Sequence, residues 1–303
     1  MFEKEFVADI IVDVPKNVGN DKEGAQFLSK FFQDSTQKNK KISVDFKNTR
    51  WFRANLTSVL GAICWNASLN GNVIIFKNLN PSIKRIFAKN HFLKKFGIPE
   101  IEDNFNSTIR YMEFEPEEKI SFSEYVRKEF IPSLEAELPK SFEQDFRTAI
   151  EELFQNCRLH GKCKKIFVCG QYFPSEKRLY FSITNIGATI KENIEERFKN
   201  YKISPSGAII WATKKGNTTR IENNIGGIGL DFLINFLDST KGKIHIISDA
   251  ASYERENKIE DSNSIENKFS GTIVTLVFSL NDICRRYERI NFFENIEILE
   301  NFF

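Results

Sequence analysis

Residues 149–161 read Ala-Ile-Glu-Glu-Leu-Phe-Gln-Asn-Cys-Arg-Leu-His-Gly. Within this stretch, Glu152, Asn156 and His160 recur at intervals of four, which places them on one stripe of a helix. Apolar residues between Phe142 and Cys157 repeat at the helical period beside that stripe. Glu152 and Asn156 fall at the edge of the apolar arc, where a carboxylate and an amide favour the lining of a pocket. An ordinary amphipathic helix with a capping His-Gly end is the alternative interpretation.

Two later segments combine strand or helix signals with glycines. Residues 181–190 read Phe-Ser-Ile-Thr-Asn-Ile-Gly-Ala-Thr-Ile, which predicts a strand that ends near Gly187. Residues 226–230 read Gly-Gly-Ile-Gly-Leu and precede a predicted helix. Glycines before a helix leave backbone N–H groups free to bind phosphate oxygens, and the helix N-terminus adds positive potential. Each segment alone also suits an ordinary turn.

The order of these three segments resembles that of the GHKL ATPase superfamily, which includes anti-sigma factor kinases, histidine kinases, heat-shock chaperone ATPases and mismatch-repair ATPases. The resemblance covers roughly residues 120–280. It implies a Bergerat-type α/β sandwich that binds ATP and Mg²⁺. It also implies that Glu152 is the general base and that Asn156 binds nucleotide through the metal ion.

The same resemblance implies the remaining nucleotide contacts. Asn185 stands where the family has the Asp that accepts a hydrogen bond from the adenine amino group. The neutral amide still accepts such a bond but more weakly. Gly187 matches the Gly that lets the base approach, whereas Thr189 replaces the second Gly of the pattern. The other implied contacts lie in a lid of about residues 205–226, at the next helix start and in the last strand: Thr218, Thr219, Arg220, Gly226, Gly227, Gly229, Leu230 and Thr272.

The N-terminal part alternates strand and helix patterns, which implies a small α/β unit. The predicted elements are strands at 42–46 and 73–76 and helices at 55–65 and 81–96. This order resembles a STAS domain, the fold of anti-anti-sigma factors, in which a Ser at a helix start receives phosphate. Here Asn55 occupies that position, with Thr57 and Ser58 close by. Another small α/β regulatory module is the alternative.

Polar and acidic residues between 100 and 118 indicate a boundary between two domains. We therefore predict a STAS-like regulatory domain over residues 1–112 and a GHKL-type ATP-binding domain over residues 113–303. The segment from Tyr253 to Lys268 is charged and lacks periodicity, which predicts an exposed insertion or a disordered loop.

Composition excludes several classes of protein. The 303 residues include 43 basic and 41 acidic side chains, so no charge excess indicates nucleic acid as a partner. There is no apolar run of membrane-spanning length, and the N-terminus lacks signal-peptide features, which predicts a cytoplasmic protein without membrane association. Five scattered cysteines without a CxxC pattern indicate reduced core thiols.

These observations predict a slow ATPase or an anti-sigma-type Ser/Thr kinase. Its nucleotide state would control a protein partner or its own STAS-like domain. The helix predicted at 121–136 contains no His, so a histidine-kinase phosphoacceptor is not expected. The alternative is a non-hydrolysing, nucleotide-gated interaction subunit of a bacterial signalling or phage-defence system. A scaffold without nucleotide is a third possibility.

Overall fold

A three-stranded parallel sheet forms the N-terminal part of the computed structural model, which describes residues 7–130, 140–199, 201–217, 219 and 228–283. Its strands β1 (Ile10–Asp13), β3 (Lys41–Asp45) and β5 (Val73–Lys77) lie in the order β1-β3-β5. Parallel neighbours need crossover connections, which α1 (Lys22–Ser35) and α2 (Thr57–Leu69) supply. A short parallel pair, β2 (Asn17–Val18) and β4 (Trp51–Phe52), lies beside this sheet.

Local signals explain where these helices begin. Asp21 caps α1 by accepting a hydrogen bond from Gly24 N at 2.8 Å. Asn80 caps α3 (Pro81–Lys89), and Pro81 occupies its first turn. The helix predicted to run to Phe96 ends at Lys89 instead, because His91 takes a left-handed conformation with φ of 67° before a 3-10 turn. Strand β1 and helix α1 were not predicted.

A five-stranded antiparallel sheet follows in the order β6-β7-β8-β10-β9. Its strands are β6 (Thr108–Phe114), β7 (Ile166–Phe173), β8 (Arg178–Ile186), β9 (Lys243–Glu256) and β10 (Ile259–Ser279). The accompanying helices are α4 (Lys119–Tyr125), α5 (Lys140–His160), α6 (Ile190–Arg197), α7 (Pro205–Thr213) and α8 (Ile228–Ser239). A π-helical turn extends α4 over Val126–Phe130. The predicted mixed α/β class is confirmed.

The two faces of this sheet are covered by different helices. Helices α5 and α8 bury one face, with Phe146 and Leu153 of α5 in the same core cluster as Phe181 and Ile183 of β8. Helices α1 and α2 cover the other face. There the rings of Phe32 and Phe269 lie 4.8 Å apart, and those of Trp65 and Phe167 lie 5.9 Å apart. The N-terminal part and the larger sheet therefore share one core cluster.

Hydrogen bonds also join the two parts. Asn55 is fully buried and donates from Nδ2 to Ser182 Oγ at 2.7 Å. Thr57 and Ser58 are fully buried as well, so neither hydroxyl is exposed for phosphorylation in this arrangement. The boundary predicted between residues 112 and 113 falls inside β6, which pairs with β7.

The segment 253–268, predicted as an exposed insertion or a disordered loop, is not a loop, although most of its side chains are at least partly exposed. These residues belong to a hairpin in which β10 pairs with β9 from Ile259 to Val277. Tyr253, Ile265 and Phe269 are buried in this hairpin. Helix α1 packs against it, and Gln33 Nε2 donates to Lys268 O at 2.5 Å. Among the described helices, none is long and apolar enough to cross a membrane.

Candidate functional site

A cavity of about 150 Å³ lies between α5 and the adjacent end of the five-stranded sheet. Helices α6, α7 and α8 close its other sides. Apolar side chains form much of its wall, and polar side chains gather along α5 and the strand ends. The residues that border it include Glu152, Leu153, Asn156, Cys157, His160, Asn185, Ala188, Ile194, Trp211, Thr219, Leu230, Ile246, Thr272 and Val274.

Helix α5 supplies the polar wall of the cavity. Glu152, Asn156 and His160 are half-buried and border the cavity along successive turns of the helix, as their spacing predicts. Among the described residues, neither the Glu152 carboxylate nor the Asn156 amide has a hydrogen-bond or ion-pair partner. His160 Nδ1 lies 3.0 Å from Thr219 Oγ1. Two polar side chains on this wall are therefore available to a ligand.

The sheet contributes a row of polar residues to the cavity. Thr272 of β10 lies opposite Asn185 of β8 and opposite Ser248 of β9. Along each strand, the next residue on the same face is apolar: Ile183, Val274 and Ile246. The polar row thus stands at the end of a buried apolar surface, where Thr272 Oγ1 lies 3.2 Å from Ser248 Oγ.

Asn185 is the most buried polar side chain of this row that borders the cavity, with 1% of its surface exposed. Its Nδ2 atom is enclosed and has no hydrogen-bond partner. That nitrogen lies 2.8 Å from the position that a Cβ on Gly161 would occupy. Because Nδ2 is turned toward Gly161, Oδ1 is the polar atom left to face the cavity. A buried amide without partners is costly unless a ligand completes its hydrogen bonds.

Gly187 does not border the cavity. Its φ is +159°, and a Cβ placed on it would lie 2.1 Å from Gly161 O. The next residue, Ala188, donates from its backbone N to the same oxygen at 2.8 Å. The structure therefore uses Gly187 to bring the end of β8 against the end of α5. Thr189 is fully buried and caps α6.

The predicted lid lies only partly within the described residues. Its first half is α7, from which Trp211 and Ala212 border the cavity. Thr219 and Leu230 also border it, and Gly229 lies in the first turn of α8. Thr218, Arg220, Gly226 and Gly227 lie outside the described residues. Among the described residues that border the cavity there is no Lys or Arg.

Several cavity residues were not predicted from the sequence. Trp211 lies in an apolar stretch of α7 that indicates only a buried helix. Asn193 donates from Nδ2 to His160 O at 2.8 Å and thereby ties α6 to the end of α5. Asn217 donates from Nδ2 to Trp211 O at 2.8 Å. Trp211 and Asn217 fall within the predicted lid but were not singled out as contacts, whereas only tertiary packing brings Asn193 to the cavity.

Among the described residues, the thiol that borders the cavity is not a ready nucleophile. Burial raises the pKa of Cys157, which borders the cavity, well above its usual value. Burial also raises the pKa of Cys169 to about 12. Cys64, Cys157, Cys163 and Cys169 are free, as expected of reduced core thiols, while Cys284 lies outside the described residues.

A divalent ion at this site would have few ligands from the protein. Among the described residues, no group of three or more His, Cys, Asp or Glu side chains could hold a metal. Asn156 offers one amide oxygen on the cavity wall, one turn from Glu152. Such a sparse donor set suits Mg²⁺, which is often bound by one or two protein oxygens together with phosphates and waters.

Comparison with known proteins does not identify a family for this chain. No family model matches the sequence, and the search of curated proteins gave no match.

Proposed function

We propose that this protein binds Mg-ATP in the α5 cavity, in the manner of a GHKL-type ATPase with a Bergerat fold. One observation supports this function above all others. Residues from separate segments, chosen by their resemblance to that superfamily, border the same cavity: Glu152, Asn156, Asn185, Thr219, Leu230 and Thr272. These segments lie far apart in the sequence, so their convergence is not a consequence of local periodicity.

The sheet end of the cavity suits an adenine ring. Ile246, Val274 and Ala188 provide apolar surface, and Trp211 adds an aromatic side chain. Asn185 Oδ1 would accept a hydrogen bond from the adenine amino group, with Thr272 beside it on the neighbouring strand. An apolar pocket with a few oriented polar groups is the usual form of a small-molecule site.

The α5 wall suits the phosphates. Asn156 would hold Mg²⁺, which would offset the negative charge of the phosphates. The first turn of α8 lies at the cavity through Leu230, where backbone N–H groups favour anions. Arg220 and the glycines 226 and 227 are the further phosphate contacts that the resemblance implies.

Glu152 would activate water for hydrolysis. Its carboxylate is half-buried beside Asn156 and has no partner among the described residues. As general base it would take a proton from a water molecule while the water oxygen bonds to the γ-phosphorus. The bond from that phosphorus to the bridging oxygen then breaks, and ADP leaves. If a Ser or Thr hydroxyl of a partner replaces the water, the same arrangement gives an anti-sigma-type protein kinase.

Control of a partner is the expected output of this reaction. Thr219 of the lid segment lies against His160 of α5, so loss of the γ-phosphate from this wall would change the contacts of the lid segment. The second candidate is a non-hydrolysing, nucleotide-gated subunit of a bacterial signalling or phage-defence system. The burial of Asn55, Thr57 and Ser58 favours this candidate over phosphorylation of the chain's own STAS-like part.

Nucleotide binding and turnover test these functions. Mg-ATP should raise the melting temperature, because a ligand selective for the folded state adds RT ln(1 + [L]/Kd) to stability. Glu152→Ala should keep this shift and lose any hydrolysis, by on the order of 10²–10⁴ in rate. Glu151→Ala is the matched control, since Glu151 instead accepts a hydrogen bond from Ser123 Oγ at 2.7 Å.

Asn156→Ala should remove the Mg²⁺-dependent part of ATP affinity, whereas Gln155→Ala should retain it. Absence of any thermal shift with millimolar ATP would exclude the nucleotide site. A shift without turnover in the wild type would favour the gated subunit. Loss of ATP binding in Glu152→Ala would show that Glu152 is structural.

A further inference from the structure

A second cavity, of about 260 Å³, lies where the N-terminal part meets the five-stranded sheet. Asn20 and Arg53 border it from the N-terminal part. Arg178, Tyr180 and Lys243 border it from the sheet. It shares no residue with the α5 cavity and lies at the opposite end of β8 from Asn185. We refer to it as the seam cavity.

Arg53 presents an unused hydrogen-bond donor at the seam cavity. Its guanidinium carbon lies 4.2 Å from the centroid of the Tyr180 ring and 5.3 Å from that of Phe173. Such cation–π contacts use none of the guanidinium N–H groups in a conventional hydrogen bond. Nη1 is buried and has no hydrogen-bond partner. A buried charged donor of this kind is costly unless an acceptor completes it.

Asn20 presents a second unused donor. Its Oδ1 accepts a hydrogen bond from Asn55 Nδ2 at 3.2 Å, and the same nitrogen donates to Ser182 Oγ at 2.7 Å. This network orients the Asn20 amide so that Nδ2 points away from Asn55. That nitrogen is buried without a partner. Two residues from different loops, each with an unpaired donor atom, therefore border one cavity.

Within the described part of the chain, the basic side chains at the seam cavity that lack an ion-pair partner are two arginines. In all, four basic side chains and two carboxylates, Asp21 and Glu256, border it, and Glu256 lies 4.0 Å from Lys243. The lysines among them are paired, Lys241 with Asp282 at 3.0 Å and Lys243 with Glu254 at 2.5 Å. Asp21 accepts a hydrogen bond from Gly24 N as the cap of α1. Among the described residues, neither Arg53 nor Arg178 has an ion-pair partner.

We propose that the seam cavity binds a phosphate-type oxyanion, either free phosphate or the terminal group of a phosphomonoester. Guanidinium groups match the oxygens of phosphate with two parallel hydrogen bonds, and Asn20 Nδ2 adds a neutral donor. Because both parts of the chain contribute donors, the bound anion stabilises their contact. This site is independent of nucleotide binding in the α5 cavity.

Titration with inorganic phosphate at constant ionic strength tests this site, with thermal unfolding and calorimetry as readouts. The wild type should show saturable binding that Arg178→Gln weakens roughly tenfold or more, as expected for loss of a charge-assisted hydrogen bond. Arg178 is exposed, so this variant should fold. Arg85→Gln, at an exposed arginine of α3 without an ion-pair partner among the described residues, should bind like the wild type.

Arg53→Gln should weaken phosphate binding as well. A lower melting temperature of this variant without phosphate would measure the loss of its contacts with Tyr180 and Phe173, and the calorimetric affinity would measure the loss of binding. Titration with glycerol phosphate distinguishes the two sources, since tighter binding than phosphate indicates a phosphomonoester and equal binding indicates the free anion. Absence of saturable binding would overturn the site. The proposal would also be overturned if Arg178→Gln and Arg85→Gln bound inorganic phosphate with equal affinity. It would fail as well if Asn156→Ala, in the α5 cavity, lost phosphate binding instead.

Discussion

At the residue scale, Asn185 differs most clearly from an ordinary core residue, because it is a buried polar side chain that borders the α5 cavity. It lies one residue before the end of β8, and the preceding residues on the same face, Phe181 and Ile183, are fully buried. An apolar side chain at this position would continue the core, whereas the amide leaves Nδ2 buried without a partner. Because Nδ2 is turned toward Gly161, a ligand in the α5 cavity would bond to the other polar atom of this amide, Oδ1.

We expect Asn185→Asp to lower stability without nucleotide and to keep or tighten ATP binding. A carboxylate that is almost fully buried without a cation is costly, and an amino group of adenine would offset part of that cost. Thermal unfolding with and without Mg-ATP and Mg-GTP measures both effects.

Asn66→Asp is the matched control, because Asn66 Nδ2 is also buried without a partner but lies in α2, away from the α5 cavity. This control should lose stability with no change in its nucleotide response. If ATP and GTP bind equally well to the wild type and to the Asn185→Asp variant, the side chain does not face the base.

At the element scale, the junction between α5 and β8 depends on close backbone approach. Gly161 ends the helix region and contacts Gly187 at the end of the strand, so the two glycines meet without side chains between them. This contact sets the distance between Asn156 on the helix and Asn185 on the strand. The width of the cavity is therefore determined by backbone packing as well as by the residues that border it.

We expect Gly187→Ala to lower the free energy of unfolding by roughly 3 kcal/mol, because the added Cβ meets a backbone oxygen that cannot rotate away. That Cβ would lie 2.1 Å from Gly161 O. Gly97→Ala is the control, since Gly97 has φ of +75° and open space around its Cβ position. It should cost about 1 kcal/mol from backbone strain alone. Urea unfolding of both variants measures the difference, and equal losses would contradict the steric explanation.

At the scale of the whole molecule, the outer face of the five-stranded sheet depends on the N-terminal part for burial. Phe167, Cys169 and Phe269 on that face are fully buried and belong to the core cluster that includes α1 and α2. A chain that began at residue 113 would lose most of β6 and uncover this apolar surface. A contiguous apolar surface that is exposed to water favours aggregation.

We therefore expect the two parts to unfold together in one cooperative transition. The three tryptophans allow each part to be followed separately. Trp211→Phe leaves Trp51 and Trp65 as probes of the N-terminal part, whereas Trp51→Phe with Trp65→Phe leaves Trp211 as a probe of the α5 cavity. Urea transitions followed by fluorescence should coincide with those followed by circular dichroism. Two separated transitions would instead show independent domains.

The sequence by itself determined the features that repeat over short distances. The polar stripe on α5, the strand that ends near Gly187 and the predicted strands β3 and β5 follow from spacing, because periodicity specifies which face of an element is buried. Charge and loop-like composition misled the interpretation of residues 253–268, where long-range strand pairing and packing against α1 outweigh local preference.

Only the tertiary structure decided what each buried face packs against. It placed Trp211 and Asn193 at the α5 cavity and Gly187 against Gly161. It also joined the N-terminal part to the outer face of the larger sheet and formed the seam cavity from both. These contacts connect residues far apart in the chain, so their geometry depends on the collective packing of the core. Periodicity identifies the surfaces to be buried, but mutual fit in three dimensions selects their partners.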